Sequence, residues 1–148
     1  MTDKPTLLVA EDDESSFLLL QMLLKKDYQI EHAINGLEAV RMVKEGSYDA
    51  VLMDIRMPEM DGLEALRQIR TFNETIPVVM QTANAFDSDK ESSIEAGCSG
   101  FITKPIMASQ LKETLKNVLG GVKKEYKTMA CELVPFLFRE VTLTSYAF

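Results

Sequence analysis

Four apolar runs in this chain each end at a polar residue, and helical patterns separate the runs from one another. The polar residues that follow the runs are Glu11 to Asp13, Asp54, Thr82 and Lys104. Short apolar runs separated by helical patterns are typical of buried parallel strands joined by helices. Because the carboxyl ends of parallel strands meet at one edge of a sheet, we expect these residues to form one small site.

The periodicity of apolar residues predicts five strands and five helices in strict alternation. The expected strands cover residues 6–10, 28–33, 50–53, 77–80 and 100–103, and the expected helices cover residues 15–26, 37–44, 63–69, 87–96 and 107–119. Right-handed crossovers return the chain in the same direction and place helices on both faces of a parallel sheet. We therefore expect a doubly wound α/β domain, with the second strand, where apolar and polar residues alternate, at an edge.

The predicted helices differ in the apolar surface that they offer. In the first helix, apolar residues surround most of the circumference, so we expect heavy burial of Phe17, Leu18, Leu19, Leu20, Met22, Leu23 and Leu24. The fourth helix has few apolar anchors beyond Ile94 and Ala96, and Gly97 is placed to cap its end. This pattern indicates either a weakly docked, mobile helix or one that merely faces solvent.

Composition limits the class of protein. The chain has 148 residues, of which 46% are hydrophobic, and this is enough for one ordinary domain with a short appendage. The net charge of -7 argues against direct binding to nucleic acid or to an anionic membrane, because no dense basic face is present. No apolar run could span a bilayer, and no secretion signal is evident. The two cysteines, Cys98 and Cys131, suggest no disulfide framework. We expect a cytoplasmic protein.

The acidic residues at the predicted strand ends point to metal-assisted phosphoryl chemistry. Glu11, Asp12 and Asp54 would repel one another at a sheet edge unless a cation lay between them. Mg2+ suits such a site, with Mn2+ as a possible substitute, because it accepts carboxylate oxygens and then a phosphate oxygen. With its charge shielded, Asp54 could attack a phosphorus atom and form an aspartyl phosphate. Lys104 and Thr82 would then bind other phosphoryl oxygens.

Each of these residues also has a simpler interpretation. Three acids after a strand are often only a solvated loop with a helix cap, and Thr82 alone could be a strand-end residue bonded to backbone. An isolated Lys104-Pro105 pair carries little information. The combination is more specific than its parts, because all the residues fall at predicted strand ends.

These motifs together resemble the receiver domain of two-component response regulators. The segment 7–12 matches the family's first strand and acidic pair, and the segment 51–62 matches its phosphoacceptor region. Thr82-Ala83 and the segment 101–105 match the remaining signature positions. The resemblance covers residues 5 to about 119 and implies a flavodoxin-like sheet with strand order 2-1-3-4-5. We interpret residues 1–121 as the receiver domain, with no separate output domain after it.

The resemblance implies a phosphoacceptor and a set of metal ligands. Asp54 would accept a phosphoryl group from a histidine of a sensor kinase or a phosphotransfer protein. Mg2+ would be bound by Glu11, Asp12, Asp54 and the backbone carbonyl of Arg56.

The resemblance also implies a switch. Lys104 and Thr82 would bind the phosphoryl oxygens, and the Lys104-Pro105 peptide bond would be cis. Thr82 and Phe101 would bias the surface of helix 4, strand 5 and helix 5 between two packings that a downstream protein target distinguishes.

The resemblance implies that two further positions, which vary within the family, tune the lifetime of the phosphoryl group. Arg56 lies two residues after Asp54, and Asn84 lies two residues after Thr82, so both side chains could flank the path of attacking water. We hypothesise that the bulky, cationic Arg56 slows hydrolysis. His32, the only histidine, lies in the predicted edge strand, away from the acids, and is interpreted as structural.

The segment 122–148 has no counterpart in the resemblance. It is strongly apolar at residues 133–138, and it shows neither a basic face nor a catalytic set. Three interpretations stay open: the segment packs on its own domain, pairs with another copy, or is the remnant of a larger protein. A homodimer could form through it or through the surface of helix 4, strand 5 and helix 5.

Three classes of function fit the sequence to different degrees. The leading class is a phosphorylation switch, in a free-standing regulator or a receiver cut from a hybrid kinase. A phosphohydrolase with an aspartate nucleophile is weaker, because such enzymes usually carry a second Asp where this chain has Arg56. A receiver-like binding module without phosphorylation is not supported, because Asp54, Thr82, Lys104 and the acids are all retained.

Overall fold

Five parallel strands form one sheet in the order β2-β1-β3-β4-β5, which confirms the predicted doubly wound topology. The computed structural model describes residues 4–83 and 87–120. Its elements are β1 (Thr6–Ala10), α1 (Glu14–Leu24), β2 (Gln29–Ala33), α2 (Gly36–Glu45), β3 (Ala50–Asp54), α3 (Gly62–Phe72), β4 (Val78–Thr82), α4 (Asp87–Ala96), β5 (Gly100–Thr103) and α5 (Ala108–Leu119). The expectations for Asn84, Cys131 and the segment 122–148 lie outside these described residues.

The strands differ in burial according to their position in the sheet. β3 and β4 are buried along their whole length, because each has a strand on both sides and helices on both faces. β2 pairs only with β1, and its exposed and half-buried residues alternate until Ala33. It is therefore the edge strand that the alternating pattern predicted.

Two hydrophobic cores lie on opposite faces of the sheet. The core under α2, α3 and α4 includes Val40, Val43, Leu66, Ile69, Val51, Met53 and Met80. The core under α1 and α5 includes Phe17, Leu20, Leu24, Leu111, Leu115, Val9 and Leu52. Successive residues of one strand enter opposite cores, so the apolar runs of the inner strands supply both faces at once.

Three helices begin with a side-chain cap directly after the loop that leaves a strand. The carboxylate or amide oxygens of Asp13, Asn35 and Asp61 accept hydrogen bonds from the backbone N–H groups three residues later, at 2.8, 2.8 and 2.9 Å. Each such cap typically stabilises a helix by about 1 kcal/mol. The caps therefore define where the chain turns at the carboxyl edge of the sheet.

The loop after β3 packs so closely on its surroundings that two positions require glycine. A Cβ atom at Gly62 would collide with the carbonyl oxygen of Asp54, and one at Gly36 would collide with the carbonyl oxygen of Met60. The N–H of Gly62 donates to the carbonyl of Ile55 at 2.7 Å. This close approach holds the segment after Asp54 against the end of β3.

Helix α1 is less buried than the sequence indicated. Leu18, Leu19 and Met22 are 48%, 50% and 69% exposed, so the expectation of burial around most of the helix was wrong. The physical reason is that a helix on a single face of a sheet buries only the side that contacts it. Phe17, Leu20 and Leu24 occupy that side, and Leu23 is half-buried next to it. The remaining three apolar residues form an exposed surface.

Helix α4 is attached with little apolar surface. Among its described side chains only Ser93 is fully buried, while Ile94 and Ala96 pack as partly buried residues against the core under α2, α3 and α4. Gly97 follows the helix with a φ of 98°, a conformation that glycine adopts without steric cost. None of the helices within residues 4–83 and 87–120 has the length and apolarity to cross a membrane.

Candidate functional site

Three carboxylates meet at the carboxyl edge of the sheet. Glu11 directly follows β1, and Asp54 is the last residue of the neighbouring β3, so the parallel register brings the two side by side. Together with Asp12, they offer carboxylate oxygens that all lie within 4.8 Å of one another. Glu11 and Asp54 are only 1% and 4% exposed, whereas Asp12 is exposed.

Lys104 brings a positive charge to the two buried acids. Its Nζ donates a hydrogen bond to Asp54 Oδ2 at 3.3 Å and lies 3.7 Å from Glu11 Oε1. The backbone N–H of Lys104 donates to the carbonyl of Thr82 at 2.7 Å, and the Lys104-Pro105 peptide bond is cis. One ammonium group therefore contacts two buried carboxylates, and the third acid, Asp12, lies beside them, so the site has excess negative charge.

The electrostatics of Glu11 show this excess. Burial, and then the neighbouring charge of Asp54, raise the pKa of Glu11 from 4.5 to about 7, although Lys104 and the N–H of Asp13 lower it. Glu11 Oε2 accepts from the N–H of Asp13 at 3.3 Å, while Oε1 is buried without a hydrogen bond. A buried carboxylate oxygen with unused acceptor capacity, beside two further acids, suits a hard divalent cation such as Mg2+.

Thr82 lies at the end of β4 and is fully buried. Its hydroxyl Oγ1 donates a hydrogen bond to Asp89 Oδ2 on α4, at 3.3 Å. Phe101, in the neighbouring β5, is half-buried and packs against the core under α2, α3 and α4. No pattern along the chain indicated that Asp89 would meet Thr82, because the contact depends on how α4 lies beside the end of β4.

An open cleft and a smaller cavity adjoin the acids. The cleft has a volume of about 440 Å3, and its lining includes Asp12, Arg56, Met57, Pro58 and Asp61. The cavity has a volume of about 240 Å3 and is lined by Glu11, Ser16, Leu19, Leu20, Gln81, Lys104, Pro105 and Ile106. Gln81 is fully buried, and neither its amide nitrogen nor its amide oxygen has a hydrogen-bond partner. A glutamine within an otherwise apolar strand is the sequence signal that marks this cavity.

His32 lies closer to the acids than the sequence indicated. Its Nε2 donates a hydrogen bond to the backbone carbonyl of Glu11 at 2.7 Å, and its ring stacks on Phe17 with centroids 3.7 Å apart. The statement that it lies away from the acids was wrong, because parallel pairing of β2 with β1 places it beside the end of β1. His32 contacts the backbone of Glu11 and not its carboxylate, which agrees with a structural role for His32.

Residues 7–116 match the family model of the response regulator receiver domain. The chain therefore belongs to the receiver family of two-component signalling. The polar-differentiation response regulator DivK of Brucella anthropi is 36% identical over 118 residues, which are 78% of this chain and 96% of that protein. The transcriptional regulatory protein ZraR of Klebsiella oxytoca is 40% identical over 79% of this chain, but the chain spans only 27% of that longer protein.

Solved structures of receiver domains have the same fold. The receiver domain of the sensor histidine kinase PA1611 from Pseudomonas aeruginosa has a TM-score of 0.75 at 30% identity, over 80% of this chain and 99% of that one. That structure contains a magnesium ion coordinated in its active-site cleft. The receiver domain of Ssk1 from Saccharomyces cerevisiae, solved with the phosphotransfer protein Ypd1, has a TM-score of 0.72 at 29% identity, over 77% and 88%.

The raised pKa of Glu11 predicts a pH dependence of stability in metal-free protein. Between pH 4.5 and about 7 the unfolded chain releases the Glu11 proton while the folded chain keeps it, so folding loses stability as the pH rises through this range. The loss amounts to about 3 kcal/mol at 1.36 kcal/mol per pH unit. In Glu11→Gln, the decrease in the free energy of unfolding between pH 4.5 and about 7 should disappear.

Urea unfolding in the presence of EDTA, at a series of pH values, measures the effect. Glu113→Gln on α5 is the matched control, because that side chain is exposed and remote from the acids. Equal pH slopes in the parent and in Glu11→Gln would contradict the prediction.

Proposed function

We propose that this chain accepts a phosphoryl group on Asp54 from a histidine of a sensor kinase or a phosphotransfer protein, in a Mg2+-dependent reaction. The observation that carries the proposal is the meeting of Glu11, Asp12 and Asp54 at one sheet edge, with the Lys104 ammonium on Asp54. Such a cluster is unfavourable by itself and becomes favourable when a cation and a phosphoryl group share its charges.

The residues of the site have separate tasks in the transfer. An Asp54 carboxylate oxygen attacks phosphorus, the new O–P bond forms as the P–N bond to the donor histidine breaks, and the imidazole leaves. Lys104, already within reach of Asp54, turns its ammonium group to a phosphoryl oxygen, and the Thr82 hydroxyl donates to another. Hydrolysis of the O–P bond later releases inorganic phosphate and restores the Asp54 carboxylate.

Glu11, Asp12, Asp54 and the backbone carbonyl of Arg56 would hold the ion. Their donors are all oxygen atoms, which Mg2+ prefers and Mn2+ also accepts. When bound, the ion supplies positive charge to the phosphoryl oxygens. Receiver domains are generally signalling modules, and we expect turnover here to be limited to self-phosphorylation and autodephosphorylation. No observation on the site favours a phosphohydrolase.

The apolar surface of α1 is suited to a protein phosphodonor. The exposed Leu18, Leu19 and Met22 lie on the helix that lines the small cavity next to Glu11 and Lys104. Ile106 and the exposed Met107 lie at the adjoining loop before α5. A donor that buried this surface would bring its histidine close to Asp54, and the complex of the Ssk1 receiver with Ypd1 is a precedent for a phosphotransfer partner.

The output of the domain is proposed to be the surface formed by α4, β5 and α5. Thr82 and Phe101 link the site to this surface, because Thr82 contacts α4 and Phe101 lies within β5. A phosphoryl group that draws the Thr82 hydroxyl toward Asp54 would change the packing there, and a downstream protein target would read the change.

Replacement of the phosphoacceptor tests the proposal directly. Incubation with acetyl phosphate and Mg2+ should add the mass of one phosphoryl group to the parent, as measured on the intact protein. The adduct should be absent in Asp54→Asn, because an amide oxygen is a poor nucleophile, and absent when EDTA replaces Mg2+. Asp49→Asn is the matched control and should be labelled like the parent, since this acid lies at the opposite end of β3.

An adduct that persists in Asp54→Asn would contradict the assignment of the phosphoacceptor. Rapid turnover of many phosphoesters without an adduct would instead support a phosphohydrolase.

Introduction of a charge on α1 tests the proposed donor surface. Met22→Glu should slow phosphotransfer from a phosphorylated histidine phosphotransfer protein by about tenfold or more, because it puts a charge into an apolar contact. Labelling by acetyl phosphate, which needs no docking, should be unchanged. Leu37→Glu on α2 is the control, since Leu37 is similarly exposed at 54% but lies on the opposite face of the sheet. Equal slowing by both variants would argue against α1 as the donor surface.

Arg56 is proposed to lengthen the lifetime of the phosphoryl group. Its side chain lines the open cleft with Asp12, where it can obstruct the approach of water. Arg56→Ala should therefore shorten the lifetime of the phosphorylated protein by a fewfold, measured as loss of the adduct after removal of acetyl phosphate. Arg67→Ala, an exposed position on α3, should have no effect. An unchanged or longer lifetime in Arg56→Ala would contradict this role.

A further inference from the structure

Asp89 gives α4 a direct polar contact with the residue that is proposed to sense the phosphoryl group. Its Oδ2 accepts the hydrogen bond from Thr82 Oγ1 at 3.3 Å, and Thr82 is fully buried at the end of β4. This distance exceeds the usual range of about 2.5 to 3.0 Å for an O–H···O hydrogen bond, so the contact is weak. The contact can therefore form and break at modest cost.

A hydroxyl group has a single proton to donate. The Thr82 hydroxyl cannot donate to Asp89 and to a phosphoryl oxygen on Asp54 at the same time. Both acceptors are anionic and would each form a charge-assisted hydrogen bond. The two bonds exclude each other, so the position of Thr82 links the state of Asp54 to the attachment of α4.

The remainder of α4 makes few contacts that hold it to the domain, so the contact of Asp89 with Thr82 is important. Ser93 is fully buried, yet its hydroxyl has no hydrogen-bond partner, so the inner face of the helix contributes little to docking. At the other end of the helix, Arg70 Nε donates to the carbonyl of Gly97 at 2.9 Å. Asp89 lies in the first turn and Gly97 directly after the last, so the two polar contacts hold opposite ends of α4.

We propose that Asp89 is a positioning residue that holds the Thr82 hydroxyl on α4 in the unphosphorylated protein. Phosphorylation of Asp54 withdraws the hydroxyl and releases the first turns of α4, while Arg70 still holds the end at Gly97. The inference deepens the proposed function and rests on it. Because coupling between two sites is reciprocal, weakening the Asp89 contact should favour the phosphorylated form.

Beryllofluoride, a mimic of the phosphoryl group, measures this coupling in the presence of Mg2+. Asp89→Ala should bind it about two- to tenfold more tightly than the parent, the range expected for loss of one competing hydrogen bond. Asp89→Asn, which keeps a weaker acceptor, should give a smaller increase. Glu95→Ala removes an exposed acid from the same helix and should bind like the parent.

A double-mutant cycle with Thr82→Val separates this role from other effects of Asp89. An acid in the first turn also interacts with the helix dipole, and that effect does not depend on the Thr82 hydroxyl. A change in beryllofluoride affinity that persists for Asp89→Ala in the Thr82→Val background would report the dipole effect and contradict the inference. If Asp89 acts through the Thr82 hydroxyl, Asp89→Ala leaves the affinity unchanged in that background. Thr82→Ser keeps a hydroxyl, so the effect of Asp89→Ala should return in that background.

Hydrogen exchange in the unphosphorylated protein gives a second readout that does not require Asp54 to react. Exchange in the first turns of α4 should rise in Asp89→Ala and in Thr82→Val to similar extents, with no further rise in the double variant. Additive effects on affinity and exchange would overturn the inference while leaving the proposed function intact. Failure of the parent to bind beryllofluoride would instead contradict the proposed function.

Discussion

The ammonium group of Lys104 lies between the two buried acids, and the order of the site depends on this contact. It is 3.3 Å from Asp54 Oδ2 and 3.7 Å from Glu11 Oε1. Without a cation, two carboxylates buried this deeply would be protonated or would move apart. Even with Lys104 present, the pKa of Glu11 is raised to about 7, so the resting site is incompletely neutralised. That remaining negative charge suits a divalent cation.

The fold keeps these charges in place through its backbone. Parallel crossovers deliver Glu11, Asp54, Thr82 and Lys104 to one edge. The hydrogen bond from the Gly62 N–H to the carbonyl of Ile55 holds the following loop against the end of β3. By contrast, α4 is held by a few polar contacts and little apolar surface. The domain thus combines a rigid site with one loosely attached helix, which is the combination that a switch requires.

The fold and the residues of the acidic site could largely be predicted from the sequence. The wrong and missing predictions concern contacts between residues that are distant in sequence. The period of apolar residues predicted every strand and helix, because that period reflects which residues face a core. It did not predict that α1 would leave Leu18, Leu19 and Met22 exposed, since an apolar surface for a partner and an apolar surface for a core look alike in sequence. The contact of His32 with Glu11 depends on strand register, and the contact of Asp89 with Thr82 depends on how α4 lies beside β4.

The sequence by itself determined the class of fold and the residue types at the carboxyl edge, because alternating strands and helices allow few topologies and parallel strands end together. Only the tertiary structure decided how the charges of those residues interact: which acids are buried, which oxygen of Glu11 has no hydrogen bond, and which acceptor the Thr82 hydroxyl contacts. Burial and hydrogen bonding depend on contacts between atoms less than about 4 Å apart, and most of these contacts join residues that are distant in sequence. No periodic pattern along the chain specifies them.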